Sequence, residues 1–166
     1  MILDGMLVES DRVTGTRDNG NDLWFSQKHK SFGGNIQFLS APDGTPPWVS
    51  DAEPGSTPDI TAARLCVLPA LYKAAADGMP TLADKGYIGA GIGIRVRSAV
   101  RKGKPERALD VDTRTTNALI RDLRACGERA AAALKERWRT FKHITVSPCR
   151  IGDMTPATLV LNGHWK

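Results

Sequence analysis

The stretch Arg121–Lys142, RDLRACGERAAAALKERWRTFK, constrains the chain more than any other. Wound at about 100° per residue, it brings Arg124, Glu128 and Lys135 to one face. Leu119, Leu123, Ala130, Leu134 and Phe141 gather on another, which has to be laid against a core. The helix is expected over about Thr113–Thr140, with Trp138 at the edge of the core. A carboxylate between two cations on the polar edge has two readings. It is surface ion pairing, or it is one ligand of a metal site whose substrate is polyanionic.

The rest of the composition narrows the class. At 166 residues, with 41% hydrophobic residues and scattered charge, the chain is the size of one soluble globular domain. No apolar run approaches the roughly 20 residues of a membrane span. The opening MILDGMLVESD has no basic and apolar leader, so a cytoplasmic location is expected. The three cysteines, Cys66, Cys126 and Cys149, lack the spacing of a zinc site or a disulfide framework, and Cys66 is expected to be buried. The net charge of +5 is concentrated in Arg95–Arg107 and Arg121–Lys142. It suits an anionic partner such as nucleic acid, or an ordinary basic surface.

Ile2, Leu3, Leu7 and Val8 make a first strand that carries Asp4. Asp11–Lys30 is polar and reads as a loop. Asn35–Ser40 and Trp48–Ser50 flank the turn signal Ala41-Pro42-Asp43-Gly44 and read as a β-hairpin. A helix with Thr57 or Asp59 as N-cap should run to about Ala76, kinked or divided at Pro69. Thr81–Asp84 is a short buried strand ending in a carboxylate. Ile92–Val96 is a candidate further strand, Ser98–Pro105 a basic excursion, and Ala157–Leu161 a weak helix or strand. The pattern predicts an α/β fold, a mixed sheet of about five strands with helices on both faces.

Ligands of α/β sheets collect at the carboxyl ends of neighbouring strands, so Asp4 and Asp84 face one another if their strands are adjacent. A helix crossing that edge adds Glu128. Three acids without cysteine or histidine suit Mg²⁺ or Mn²⁺. Two such ions activate a water or a 3′-hydroxyl in phosphodiester chemistry. Each acid taken singly is equally a solvated surface group or a cap. Asp59 is a helix cap or an auxiliary acid. Tyr87 packs over the Asp84 turn or stacks on a base. Lys28, His29 and Lys30 are expected to face DNA, and His29 is not expected to bind metal.

Leu82-Ala83-Asp84-Lys85-Gly86-Tyr87, followed by Arg124-x3-Glu128-x6-Lys135, resembles the signature of DDE transposases of bacterial insertion sequences, close to the Harbinger-type endonucleases. Leu3-Asp4-Gly5 with Asp11-Arg12, Lys28-His29-Lys30 through Asn35-Ile36-Gln37, and Pro54-Gly55-Ser56-x2-Asp59 resemble further blocks, so the likeness runs from Met1 to about Pro148. It implies a ribonuclease H-like fold with two divalent metals on Asp4, Asp84 and Glu128. Asp4 would bridge both ions, Asp84 would hold one and Glu128 the other. Lys28, Lys30, Arg124 and Lys135 would meet the backbone of double-stranded DNA, both transposon ends and target. The implied activity is cutting at transposon ends and joining of the freed 3′-hydroxyl, in a prokaryotic, cytoplasmic and nucleoid-associated protein for which a homodimer is a candidate assembly.

Met6 stands where the family has threonine, and Pro58 where it has histidine. No helical DNA-binding region precedes Asp4, so residues 1–166 are expected to be a single catalytic domain, N-terminally truncated relative to the family. A catalytically inactive DNA-binding remnant is the alternative. A metabolic α/β enzyme with a phosphate-bearing substrate is a third class, against which Gly86–Gly93 lacks the lysine of a P-loop.

Overall fold

The computed structural model describes residues 1–100, 105 and 109–164. Residues 101–104 of the expected basic excursion at Ser98–Pro105 lie outside the described residues. Strand β1 (Ile2–Ser10) is the centre of the molecule. Ile2, Leu3, Met6, Leu7 and Val8 are all buried, as in a strand covered on both faces. It pairs antiparallel with the long β3 (Ser31–Ser40), Asp4 opposite Phe38 and Gly5 opposite Gln37. The far edge of β3 takes three short strands, β2 (Phe25–Ser26), β4 (Trp48–Val49) and β5 (Glu53–Pro54). On its other edge β1 pairs in parallel with β6 (Thr81–Leu82), which pairs in parallel with β7 (Ile94–Arg95).

The continuous path is therefore β2-β3-β1-β6-β7. With β4, β5 and β8 (His143–Ile144, parallel to β1) the sheet has eight strands rather than about five. The sequence did not signal β8, because a two-residue strand has no period to read.

Alternation along β1 and β3 assigns the two faces. Leu3 and Leu39 pack with Ala63, Val67, Leu68 and Leu71 of helices α1 (Asp59–Cys66) and α2 (Leu68–Ala76). Of the two expected outcomes at Pro69 the helix is divided, at Val67, and Pro69 sits in the first turn of α2, where its missing N–H is harmless. Met6, Val8, Ile36 and Phe38 pack on the opposite face with Leu134 of α3 (Val111–Arg137), Phe141 and Ile151 of α4 (Ile151–His164). The element at Ala157–Leu161 is thus helical. Cys66, in the last turn of α1, is exposed rather than buried.

Helix α3 is 27 residues, about 40 Å long, and starts at Asp110, whose carboxylate accepts from Thr113 N at 2.8 Å. Its buried residues are Asn117, Ile120, Gly127, Ala130 and Leu134. Leu119 and Leu123 are 59% and 45% exposed, so the apolar face read from the leucines is displaced. Gly127 decides the facing: a Cβ there would lie 2.8 Å from Ile2 Cγ2. The smooth strip at Gly127 and Ala130 lets the helix come down onto β1, and closeness outweighs the larger leucines. Arg124 and Glu128 are carried to the sheet as a result.

Gly127→Val is expected to lose about 1–3 kcal/mol of stability by overpacking, despite its better helix propensity. Leu119→Ala should change stability by no more than about 0.5 kcal/mol. Urea denaturation of the two variants checks the assignment, and the reverse order would contradict it.

Candidate active site

The strand register brings Asp4 of β1 and Asp84, in the turn just past β6, near each other. Ile2 pairs with Leu82 across the parallel β1–β6 ladder, and Asp4 and Asp84 each follow two residues on. Asp4 lies in mid-strand with its side chain 18% exposed. Its Oδ1 accepts from Gly5 N at 2.9 Å, and its Oδ2 lies 3.4 Å from Arg124 Nη2. Burial raises the Asp4 pKa; the Gly5 N–H and the Arg124 charge offset this only partly, and the Asp84 charge adds to it. Asp84 accepts from Gly86 N at 2.7 Å and so caps the short 3-10 turn Lys85–Tyr87.

Glu128 is 61% exposed and reaches the pair through Arg124, whose Nη2 is 3.6 Å from Glu128 Oε1. Arg124 itself is 14% exposed and its buried Nε has no partner. The guanidinium therefore stands between Asp4 and Glu128, at distances longer than the 2.7–2.9 Å of a tight charge-assisted bond. The expected common face of Arg124, Glu128 and Lys135 is present, but with internal partners. Lys135 Nζ donates to the Leu7 carbonyl at 3.1 Å, and burial lowers its pKa.

Asp59 is not the cap of α1. Pro58 is the N-cap, with no side-chain bond, and Asp59 turns inward as the first helical residue. There it takes Lys28 Nζ at 2.7 Å and Asn35 Nδ2 at 2.9 Å. Glycine makes that approach possible, since a Cβ on Gly5 would stand 2.6 Å from Asp59 Oδ1. Burial works against the Lys28 charge, yet Asp59, then Asp84 and Asp4, outweigh it and raise its pKa. His29 is shifted the other way, by burial and then by Lys28, and is held toward the neutral form. Lys30 is exposed, adopts φ 57° and donates to Gln27 Oε1 at 3.1 Å.

Tyr87 is buried and does not stack outward. Its hydroxyl donates to Gln37 Oε1 at 2.6 Å, Gln37 Nε2 donates to Asn35 Oδ1 at 3.0 Å, and Asn35 holds Asp59. Burial and the nearby Asp59 keep the phenol protonated. This chain of polar side chains, which sequence reading missed, ties the Asp84 turn to Asp59 beneath the sheet. Its signal was present in Asn35 and Gln37, two amides at alternate positions of an otherwise apolar strand.

Two concavities open beside the acids. The larger, about 410 Å³, is lined by Lys28, His29, Asp59, Asp84 and Gly86 among others. The smaller, about 230 Å³, has Asp4, Glu128, Lys135 and again His29 in its wall. In donor chemistry the all-carboxylate set fits a hard divalent cation. Among the described residues, however, no three His, Cys, Asp or Glu side chains converge closely enough to share an ion as they stand. No described helix is long and apolar enough to cross a membrane.

Asp4 on the central strand, Asp84 in the turn just past the neighbouring parallel strand and Glu128 on a helix crossing the sheet therefore stand on one mixed α/β sheet. The sequence profile of the DDE superfamily endonucleases matches residues 3–162, and the chain belongs to that family. It is a DDE transposase catalytic domain with the ribonuclease H-like arrangement of sheet and helices. The family acts on DNA and generally uses divalent metal ions. No curated protein and no solved structure matches the chain significantly.

A raised carboxyl pKa means that the folded state holds the Asp4 proton more tightly than the unfolded chain. The ionised group therefore costs stability above the unfolded value of 3.8. Asp4→Asn is expected to be more stable than the wild type at pH 7, with the gain shrinking as pH falls through the Asp4 pKa toward 3.8 and below. Equal stability at pH 7, or a gain that grows in acid, would contradict the burial assigned to Asp4.

Proposed function

We propose that the chain is a metal-dependent DNA endonuclease and strand-transfer domain that cuts transposon ends and joins 3′-hydroxyls to target DNA. The observation that carries the reading is the Asp4–Asp84 register, with Arg124 linking Asp4 to Glu128. Asp4, Asp84 and Glu128 would hold two Mg²⁺ or Mn²⁺ ions. Bound there, such ions supply an activated nucleophile and stabilise the leaving oxygen.

The roles of the protein's own groups follow from their settings. Asp4 is fixed by the strand on either side and by the Gly5 N–H. Asp84 is fixed by its turn. Glu128, exposed on the helix, is the acid with freedom to move, and Arg124 is the group that must let it go. Released from its loose hold, Arg124 has a charged fork for a phosphate in the same place. Lys135 and Lys28 flank the acids on either side, and Lys30 lies farther out, so a backbone passing over the clefts meets all four cations. Asp59 serves as an auxiliary acid: it anchors Lys28 beside Asp84 and sets the electrostatics of the cleft.

The second reading is a DNA-binding domain without chemistry. It is favoured by the internal cations, since Arg124 and Lys28 already neutralise part of the acidic charge. Nicking of supercoiled DNA with Mg²⁺ or Mn²⁺ separates the two. The wild type should nick, and Glu128→Gln should lose more than about 100-fold, beyond the loss typical of an outer-shell partner. Binding without nicking would favour the second reading, and nicking equal in both proteins would contradict the role given to Glu128.

A further inference from the structure

A third concavity, about 440 Å³, adjoins the larger cleft and shares Gln27 and Ser56 with it. Its wall carries Arg12, Arg17, Asp22, Phe25 and Phe32. The cations here differ from those at the acids. Lys28 and Arg124 are engaged with carboxylates, whereas no salt bridge is formed by Arg12 or Arg17 among the described residues. Arg12 lies 5.9 Å over the Phe32 ring, which orders the guanidinium without neutralising it.

Arg17 is equally well placed. The loop that carries it is closed by the Thr16–Asp22 bridge, by Leu23 N to Gly15 O at 2.7 Å and by Arg17 N to Asn21 O at 2.9 Å. Gly20, at φ 78°, makes the turn. Phe25 meets Phe32 edge to face at 5.1 Å, and both rings are only partly covered. Ser56 Oγ, on the wall common to both concavities, is buried without a hydrogen-bond partner. Free cations and half-covered aromatic rings together fit a strand of nucleic acid. A duplex is too broad and stiff to enter; a single strand offers both a phosphate and an unstacked base.

We infer that this concavity is a subsite for unpaired DNA flanking the cleavage position, Arg12 and Arg17 taking its phosphates and Phe25 receiving a base. The inference rests on the DNA-cleaving reading above and extends it to a part of the chain that the acids do not reach. Asp22 on the same wall keeps the subsite from being a uniform cationic patch, so the contacts must be local.

The test compares a forked duplex bearing a single-stranded arm with the same duplex blunt-ended, by fluorescence anisotropy over a range of salt concentrations. Wild type should bind the fork roughly 5- to 100-fold tighter, the size of one stacked base. Arg12→Ala/Arg17→Ala should lose that preference, and the log–log salt slope for the fork should fall by about 1.4, the equivalent of two single-strand phosphate contacts. A charge-matched pair on the outer faces of α1 and α2, Arg64→Ala/Lys73→Ala, should retain both. Phe25→Leu, which keeps an apolar side chain against Phe32, should cease to distinguish an arm with bases from an abasic arm. Equal binding of fork and blunt duplex by the wild type, or equal losses in the two double variants, would overturn the inference while nicking and duplex binding persist. Loss of all DNA binding and nicking by the wild type would instead overturn the reading beneath it.

Discussion

Asp4 on β1 and Asp84, two residues past the paired Leu82 of β6, are brought together by the parallel register, and their negative charges repel each other. The surroundings of Asp4 and Asp84 are an answer to that repulsion. Backbone N–H groups of Gly5 and Gly86 bind one oxygen of each. Arg124 faces Asp4 from the helix side of the sheet, and Lys28, held by Asp59, lends its charge from the other. These supports differ in strength. The glycine contacts belong to the chain itself, while the arginine contact is long and shared with Glu128. Acids supported in this way fold partly neutralised, with the weakest support on the Arg124 side.

That arrangement also explains several features that are otherwise costly. A charge on Asp4 is disfavoured by burial, a penalty that a domain with no use for the charge would avoid. Gly5 and Gly127 both give up side-chain packing, one so that Asp59 can approach the sheet and the other so that α3 can. The amide relay from Tyr87 through Gln37 and Asn35 to Asp59 fills a core position with polar groups, every one of which finds a partner. Each places stiffness under the acids rather than bulk in the core.

Much of this was legible in the sequence, for identifiable reasons. β1, the hairpin at Gly44, the break at Pro69 and the long helix are set by local signals: apolar runs, a turn residue with positive φ, a proline and a 3.6-residue period. Asp84 lies just past the carboxyl end of β6 as the carboxyl-edge rule expects, whereas Asp4, the third residue of β1, comes beside it through the Ile2–Leu82 register. What escaped was what depends on closeness. The leucines of α3 mark its apolar residues correctly, but Gly127 sets which way they turn, and small residues carry no weight in a hydrophobic pattern. Asp59 has the sequence position of a cap, and only the hollow over Gly5 draws it inward. Tyr87 follows the Asp84 turn as expected, yet its hydroxyl is committed 50 residues back in the chain, to Gln37.

Under the proposed function Asp4, Asp84 and Glu128 share one cation site, and the Arg124 guanidinium lies between Asp4 and Glu128. Crystals of the protein soaked in Mn²⁺ and measured at the manganese absorption edge test it most directly. The expected result is anomalous density between the carboxylates of Asp4 and Asp84, with Glu128 drawn in and the Arg124 guanidinium moved off Asp4. Manganese bound elsewhere with Arg124 still on Asp4, or no manganese at millimolar concentration, would contradict it.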